Sequence, residues 1–250
     1  MSAQPLEQEL RFPIPETRMW REAGSVDTRE GLMVDLRVHR QSPFEQPAEW
    51  LEAVRRFRAW VLYDNGSRPS FRVADTDYVD AQSLDLGSYH LIAYLEGGTE
   101  IVGCARLAPP GLAPRFQTRC HLGDREYADM LANMQVPAAS VFEAGRLATA
   151  PELQGQGLGS WMVNAVVAAG HALGASLLLS TSGTGQGQHL LFGRLGWQAF
   201  PDTDKFSAHY QDTVRVIAHR LSLGLTAAEL RRHMDNLSAE GTAHIQGMRL

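Results

Sequence analysis

The stretch TAPELQGQGLGS, residues 149–160, joins a segment that predicts a strand to one that predicts an amphipathic helix. Its three glycines, Gly155, Gly157 and Gly159, allow the backbone to adopt positive φ and to come close to a bound molecule. The first turn of the following helix offers unpaired N–H groups and the positive end of its dipole to an anion. The stretch therefore predicts either a pyrophosphate-binding turn or a tight turn that closes a strand–helix unit.

The spacing of these residues excludes several other motifs. No Gly-Lys-Ser/Thr follows the glycines, so the turn is not a Walker loop. The spacing Gly-x-Gly-x-Gly also differs from that of the dinucleotide-binding motif. Neither a Gly-x-Ser-x-Gly elbow nor a Cys–His signature occurs in the chain, which argues against covalent catalysis.

Segments of strand and helix character lie on both sides of this turn and predict an α/β fold. The strand patterns cover 32–40, two runs that flank Gly97-Gly98, 141–150, 175–181 and 213–221. The helical patterns cover a segment that begins at Pro47, then 123–133, 158–173, 187–195 and 226–237, the last with a capping box of Thr226 and Glu229. Residues 1–30 show no period and predict an irregular arm, whereas 31–250 predict a single domain.

The composition is that of an ordinary globular protein, and it narrows the range of functions. The 250 residues carry 23 Lys and Arg against 28 Asp and Glu, a net charge of −5, which argues against nucleic-acid binding through bulk charge. Two cysteines are too few for a disulfide scaffold, and the spacing of His and Cys predicts no metal site. The polar N-terminus and the lack of an apolar run of about 20 residues predict a cytoplasmic protein with no membrane partner.

The order QGQGLG at residues 154–159 resembles the acyl-CoA loop of the GNAT superfamily of N-acyltransferases. The segment LFGRLGW at 191–197 resembles a second motif of that superfamily. The resemblance implies a mixed, twisted sheet that is flanked by helices and split at the strand before the loop. It also implies acetyl-CoA or a longer acyl-CoA as co-substrate, with the pyrophosphate on the loop and the thioester oxygen on backbone N–H groups near its start. The residues implied are Leu147, Ala148, Gln154, Gly155, Gln156, Gly157, Leu158, Gly159 and Ser160.

One residue departs from the pattern of that superfamily. The superfamily often has a Tyr that protonates the leaving thiolate, and the aligned residue here is Phe192, which has no proton to donate. A thiolate is a tolerable leaving group near neutral pH, because the pKa of a thiol is about 8.5. The acid is therefore dispensable, or it is Tyr210, His189 or Ser182.

A second resemblance covers residues 55–150. Four short motifs occur there in the order found in acyl-homoserine-lactone (autoinducer) synthases and related N-acyl amino acid synthases. They are Arg58, Asp77-x-x-Asp80, Gly103-x-x-Arg106-Leu107-x-Pro109 and Glu143-x-x-Arg146. The resemblance implies an acceptor site built from these charges, with Arg58, Asp77 and Asp80 binding the acceptor.

The residues of these four motifs also suggest roles in catalysis. Glu143 is the carboxylate on the strand that leads to the loop, and we expect it to take the proton from the attacking ammonium through water. Arg106 and Arg146 are expected either to orient Glu143 or to bind a carboxylate of the acceptor. The lactone synthases usually lack the glycine-rich loop, and Leu62 and Phe71 stand where a Phe and a Trp are expected. These departures favour an N-acyltransferase that uses a CoA thioester.

Two structural expectations concern these charges. Glu143 and Arg146 are three apart on a strand and point to opposite faces unless a β-bulge intervenes. The resemblance to the GNAT superfamily implies such a bulge, because its members splay this strand to admit the acyl thioester. Arg106 lies among apolar residues, and a buried Arg needs a carboxylate partner, for which Asp77, Asp80 and Glu143 are the candidates. The same charges are also compatible with a purely structural ion-pair network.

The sequence therefore predicts an enzyme that moves an acyl group from a CoA thioester to the primary amine of a small, amino-acid-like acceptor. Two alternatives remain open. One is an autoinducer synthase that uses S-adenosylmethionine and an acyl carrier thioester, and the other is a catalytically silent acyl-CoA-binding module. An acyl carrier protein remains an alternative donor, and the sequence does not determine the oligomeric state.

Overall fold

The computed structural model describes residues 8–13, 33–64, 79–95, 98–155, 157–185, 187–208 and 210–221. The strands are β1 (Gln8–Pro13), β2 (Met33–Arg40), β3 (Tyr89–Leu95), β4 (Ile101–Ala108), β5 (Val141–Thr149), β6 (Leu177–Gly183), β7 (Gln198–Ser207) and β8 (Asp212–Arg220). The helices are α1 (Glu49–Ala59), which continues into a π-helical turn at Trp60–Asp64, α2 (Gln117–Leu122), α3 (Asp124–Asn133), α4 (Leu158–Ala172) and α5 (Gln188–Arg194).

The described strands form one mixed sheet in the order β1-β2-β3-β4-β5-β6-β8-β7. The pair β5–β6 is parallel, and the other described pairs are antiparallel. The pairing of β5 with β6 covers only Val141–Glu143 against Leu177–Leu179, although β5 runs on to Thr149. The sheet therefore splits just after Glu143, and the prediction of an α/β sheet that splits at this strand is confirmed.

Helices cover both faces of the sheet. A Cβ placed on Gly103 of β4 would lie 3.6 Å from Met162 Cγ, so this face carries α4. Because side chains alternate along a strand, Arg106 faces the opposite side of the sheet. Trp50 of α1 packs on that side, against His39 of β2 and His90 of β3. The helices α2 and α3 cover the same side further along, over an apolar cluster formed by β5, β6 and β8.

The structure differs from the sequence-based expectation at two strands. Residues 8–13 form β1, which pairs with β2 over six positions, so the expectation of an irregular arm is wrong for this segment. The pairing with β2 orders a segment whose own sequence has no strand period. β7 was not predicted because polar and charged residues and Pro201 interrupt its pattern, and its register with β8 shifts between Phe200 and Lys205.

Two further expectations concern the whole chain. The helix expected at 226–237 lies outside the described residues, and the division into an arm and one domain stays a prediction. Within the described part of the chain, none of the helices combines the length and the apolar character that crossing a bilayer requires.

Candidate active site

The register between β4 and β5 shifts at Arg146. Cys104 pairs with Ala148, whereas Arg106 pairs with Gly145, so Arg146 and Leu147 share the place of one residue on β5. Arg146 has φ of 54°, in the left-handed region that side chains rarely adopt. This is the β-bulge that the resemblance to the GNAT superfamily implied, and it allows Glu143 and Arg146 to serve the same face of the sheet. Leu147 and Ala148, the residues expected to hold the thioester oxygen, lie at this bulge, beyond the point where β5 leaves β6.

Asp85 lies at the centre of a buried ion-pair cluster. Its carboxylate accepts hydrogen bonds from Arg55 Nε at 3.1 Å, from Arg58 Nη1 and Nη2 at 2.9 Å each, and from Arg106 Nη1 at 2.9 Å. The Asp85 side chain is fully buried. Burial by itself would raise its pKa, but the hydrogen bonds and charges of Arg58 and Arg106 hold the pKa of Asp85 well below its ordinary value. The carboxylate therefore stays ionised and compensates the buried guanidinium groups.

The partner of Arg106 differs from the expectation. Asp77, Asp80 and Glu143 were the candidates, whereas the structure pairs Arg106 with Asp85. Burial lowers the pKa of Arg106, and the Asp85 carboxylate opposes that shift. The sequence contains one local signal that could have identified Asp85. It lies between Leu84 and Leu86 just before a strand, and an Asp between two leucines is a candidate for burial. Long-range packing, rather than spacing, selects it from the acidic residues of its loop.

Asp80 connects two of the predicted site residues. Asp80 Oδ2 lies 3.2 Å from Arg58 Nε and 3.1 Å from Arg146 Nε. Arg58 also donates a hydrogen bond from Nη2 to the backbone carbonyl of Asp80. All three nitrogens of the Arg58 guanidinium are thus engaged within the cluster, so Arg58 holds in place the segment 79–85, which we call the acidic loop. Asp77 lies outside the described residues.

Glu143 is buried, and its carboxylate meets the start of α2. Oε1 accepts a hydrogen bond from the backbone N–H of Gln117 at 2.8 Å, and Oε2 accepts one from the N–H of Thr118 at 2.7 Å. Burial raises the pKa of Glu143, and these two hydrogen bonds partly offset the rise. A carboxylate can accept about four hydrogen bonds, so each oxygen retains capacity for a proton or a water. Glu143 therefore orders α2 and can also accept a proton.

Tyr210, in the turn between β7 and β8, contacts Arg146 of the ion-pair cluster and Gln117 of α2. It does so from the side of the split that contains β6. Its hydroxyl oxygen accepts hydrogen bonds from Arg146 Nη2 at 3.2 Å and from Gln117 Nε2 at 3.3 Å. The other residues considered as acids are placed differently. Ser182 donates to the carbonyl of Gly183 at 3.3 Å, and His189 Nδ1 is buried without a hydrogen-bond partner among the described residues. Phe192 packs edge-on against Trp197, with ring centroids 5.2 Å apart.

The glycine turn leaves the N-terminus of α4 open. Gly155 and Gly157 have φ of 78° and 92°. Among the described residues, no heavy atom other than those of the chain neighbours lies within 4 Å of a Cβ placed on either glycine. Gly157 is the N-cap and provides no side-chain cap, and Trp161 N–H donates to the Gly157 carbonyl at 3.0 Å. The N–H groups of the first turn, at Leu158, Gly159 and Ser160, therefore have no acceptor within the helix.

The remaining loop residues frame this open turn. Gln154 and the two glycines are exposed, and a Cβ on Gly159 would lie 4.0 Å from both Leu191 of α5 and Thr149 at the end of β5. Gln156 lies outside the described residues. The geometry fits an anion: the backbone is accessible, and the helix dipole favours negative charge.

These features define an α/β protein with an open helix N-terminus beside a split strand pair. The model of the acetyltransferase (GNAT) family matches residues 51–197, which is more than half of the chain. The chain therefore belongs to the GNAT acetyltransferase family, and it is an acyltransferase.

Several solved structures resemble the chain. They include TofI in a ternary complex with an inhibitor and MTA (20% identity, 78% of this chain and 96% of that chain, TM-score 0.55). They also include the AHL synthase LasI (14%, 77% and 92%, 0.51) and the CoA-dependent acyl-homoserine lactone synthase BjaI with SAM and isopentyl-CoA (18%, 80% and 87%, 0.51). At these identities the likeness concerns the fold. A comparison with curated proteins found no match.

Proposed function

We propose that the protein transfers an acyl group from a CoA thioester to the primary amine of a small, amino-acid-like acceptor. The observation that carries this proposal is the open N-terminus of α4, which follows β5 just beyond the split. A pyrophosphate bound there leaves the rest of the donor alongside the part of β5 that no longer pairs with β6. The ion-pair cluster includes Arg146, which lies on this same part of β5.

On this proposal, residues Gln154–Ser160 bind the donor pyrophosphate. Their support is the pair of positive-φ glycines and the uncapped first turn of α4. The backbone N–H groups at Leu147 and Ala148 would bind the thioester oxygen as negative charge develops on it. The bulge leaves Arg146 and Leu147 without a register position of their own on β4, which supports this role for the Leu147 N–H.

Glu143 is the proposed proton acceptor. The ammonium of the acceptor loses a proton through water to Glu143, and the resulting amine attacks the thioester carbon to form the C–N bond. The C–S bond breaks, and the attacking nitrogen passes its second proton to the departing CoA thiolate, which leaves as the thiol. Burial raises the pKa of Glu143, and a higher pKa makes its carboxylate a stronger base. Because an amine and a thioester react readily once aligned, proximity supplies much of the rate.

The acceptor we propose is zwitterionic. Arg106 and Arg146 supply positive charge for a carboxylate, and Asp80, with Asp77, supplies negative charge for an ammonium. A Cβ on Gly145 would lie 3.8 Å from Arg106 Nη2, so the glycine leaves space beside this guanidinium. Arg58 contributes by fixing Asp80, since its own nitrogens are engaged.

A thiol-release assay tests the proposal. Acetyl-CoA and longer acyl-CoA thioesters are offered with amino acids, the corresponding amides and polyamines. We expect amino acids to react faster than their amides and faster than polyamines. Equal rates for an amino acid and its amide would show that no Arg reads the carboxylate, and a preference for polyamines would show that the acidic loop binds a cation instead. Binding of acyl-CoA without turnover would identify a silent binding module.

A second candidate function is the synthesis of acyl-homoserine lactones from S-adenosylmethionine. The observation that favours it is that Arg58, Asp80, Arg106 and Arg146 belong to one cluster of ion pairs, although the motifs that carry them are far apart in the sequence. The same assay, with S-adenosylmethionine as acceptor and acyl-CoA or an acyl carrier protein thioester as donor, distinguishes the two functions. An acyl-homoserine lactone detected by mass spectrometry supports this candidate.

A further inference from the structure

Three half-buried polar side chains, Gln82, Gln117 and Tyr210, form a hydrogen-bonded row next to the buried charges, with Gln117 in the middle. We call them the polar rim. Gln117 Nε2 donates to Gln82 Oε1 at 3.3 Å and to the Tyr210 hydroxyl at 3.3 Å. The three residues come from separate parts of the fold: the acidic loop, the first residue of α2 and the turn between β7 and β8.

The polar rim ends on the two arginines that are proposed to bind the acceptor carboxylate. Arg106 Nη1 donates to Gln82 Oε1 at 2.8 Å, and Arg146 Nη2 donates to the Tyr210 hydroxyl at 3.2 Å. Beneath the rim, the same arginines are connected through Asp85, Arg58 and Asp80. The polar rim and the ion-pair cluster therefore form one closed ring of contacts. Each of the two arginines contacts a residue of the rim and a buried carboxylate, which is Asp85 for Arg106 and Asp80 for Arg146.

Arg146 needs this support more than Arg106 does. Arg106 lies on a regular part of β4, where pairing with β3 fixes its backbone. Arg146 lies in the bulge with φ of 54°, a conformation that persists only when its surroundings hold it. Tyr210 makes two kinds of contact with it: the hydrogen bond, and a ring whose centroid lies 5.8 Å from the guanidinium carbon.

Tyr210 and Arg146 lie on opposite sides of the split between β5 and β6. Beyond Glu143, the described pairing no longer holds β5 against β6, so the two halves of the sheet diverge. Tyr210 belongs to the half that contains β6, β8 and β7, and Arg146 belongs to β5 in the other half. Their contact joins the two halves above the gap, next to the residues proposed to bind the acceptor.

We propose that Tyr210 is a positioning residue that sets the orientation of the Arg146 guanidinium and thereby the selectivity of the enzyme for acceptors that carry a carboxylate. This inference rests on the proposed function and adds to it a residue outside both resembling motifs. Tyr210 acts through Arg146, so its loss weakens the binding of the acceptor while the donor site at α4 is unaffected.

The test is Tyr210→Phe, which keeps the ring and removes the hydroxyl. A hydrogen bond to a charged group changes binding by about 10- to 100-fold, so we expect the KM for the amino acid to rise by about that factor. We expect the preference for an amino acid over its amide to fall by a similar factor. The kcat and the affinity for acyl-CoA should stay within about twofold of the wild-type values.

Tyr127→Phe is the matched control. The Tyr127 hydroxyl is buried in α3 and has no hydrogen-bond partner among the described residues. Removing it takes away a hydroxyl of the same kind without touching the cluster, so the KM for the amino acid and the preference over the amide should stay at the wild-type values.

Three results would overturn the inference. A Tyr210→Phe enzyme with the wild-type KM and the wild-type preference over the amide would show that Tyr210 positions nothing. A large fall in kcat at unchanged KM, with an altered pH profile, would identify Tyr210 as the acid that protonates the thiolate. If the wild-type protein releases no thiol with any amine, the proposed function fails and this inference fails with it.

Discussion

The Asp85 side chain is fully buried and accepts hydrogen bonds from Arg55, Arg58 and Arg106. Asp85→Asn keeps the shape and removes the charge, so the guanidinium groups lose their main compensation. Breaking a buried ion pair from one side costs about 3–5 kcal/mol, and we expect the free energy of unfolding to fall by that amount. Urea denaturation followed by circular dichroism measures it.

The control for this prediction is Asp204→Asn. Asp204 pairs with Arg215 in two hydrogen bonds of 2.7 Å, but the pair is partly exposed. An exposed pair contributes at most about 1 kcal/mol, so this variant should remain close to the wild type. Equal losses in the free energy of unfolding for the two variants would show that burial does not increase the contribution of the Asp85 ion pairs to stability.

Glu143→Gln separates the two roles that the structure allows for this residue. If Glu143 accepts a proton in the reaction, turnover should fall by about 10²–10⁴-fold while the affinity for acyl-CoA stays unchanged. The amide can accept from only one of the N–H groups of Gln117 and Thr118, so the free energy of unfolding should also fall by about 1–3 kcal/mol. Steady-state kinetics and urea denaturation measure the two effects.

A variant that loses stability nearby without losing the carboxylate serves as the control. Leu122→Ala at the end of α2 removes a buried side chain and should lower stability by about 2–5 kcal/mol. It should keep most of the turnover. A Glu143→Gln enzyme with the full rate from mildly acidic to mildly basic pH would show that Glu143 only orders α2.

At the scale of a structural element, the start of α4 is the feature that the donor depends on. Gly157 has φ of 92° and its surroundings leave room for a side chain. Gly157→Asp places a carboxylate over the open N–H groups, where it caps the helix and repels the pyrophosphate. We expect the affinity for CoA, measured by calorimetry, to fall by about 10- to 100-fold relative to Gly157→Asn.

Gly157→Asn is the appropriate reference because Asn has nearly the same shape, carries no charge and tolerates a left-handed backbone. Both variants introduce the same backbone strain and fill the same space, so a difference in their affinity for CoA reports the repulsion by the Asp charge alone. The same affinity for CoA in the two variants would mean that no anion binds at this helix. An affinity equal to that of the wild type in both would remove the loop from the donor site.

At the scale of the whole molecule, acid should weaken the fold through His90. Burial lowers the pKa of His90 to about 3, and its hydrogen bond to the Asp85 carbonyl only partly opposes the shift. In the unfolded chain a histidine takes up its proton near pH 6.5, so the unfolded state binds more protons between pH 6.5 and pH 3. The stability that the neutral His90 provides is therefore fully present above pH 6.5. It is lost as the pH falls, by up to about 1.4 kcal/mol per pH unit.

Urea denaturation of the wild type and of His90→Gln between pH 7 and pH 4 tests this. The variant should lose less stability over that range, whatever its stability at pH 7. His219→Gln should remove a smaller share, because burial also lowers the pKa of His219 but the side chain is only half-buried. Glu143 acts in the opposite direction, since its raised pKa favours the folded state as the pH falls. Equal slopes for His90→Gln and the wild type would contradict the prediction.

The sequence by itself determined the elements around the donor loop. The run from β5 through the glycine turn to α4 was predicted nearly to its ends, because it depends on local signals: a strand pattern, residues that allow positive φ and a helical period. The bulge at Arg146 was expected from the resemblance to the GNAT superfamily, because the spacing alone would place Glu143 and Arg146 on opposite faces of the strand. The N-terminal strand β1 was missed because its order comes from pairing with β2.

Only the tertiary structure decided which groups meet. Arg55 and Asp85 are 30 residues apart, Arg146 and Tyr210 are 64 apart, and Gln117 and Tyr210 are 93 apart. No local pattern encodes such pairs, because one arginine can pair with any carboxylate that the fold brings within reach. Asp85 is the centre of the cluster because long-range packing brings Arg55, Arg58 and Arg106 around its carboxylate. Tyr210 reached Arg146 because the sheet splits after Glu143 and the turn between β7 and β8 lies across the gap.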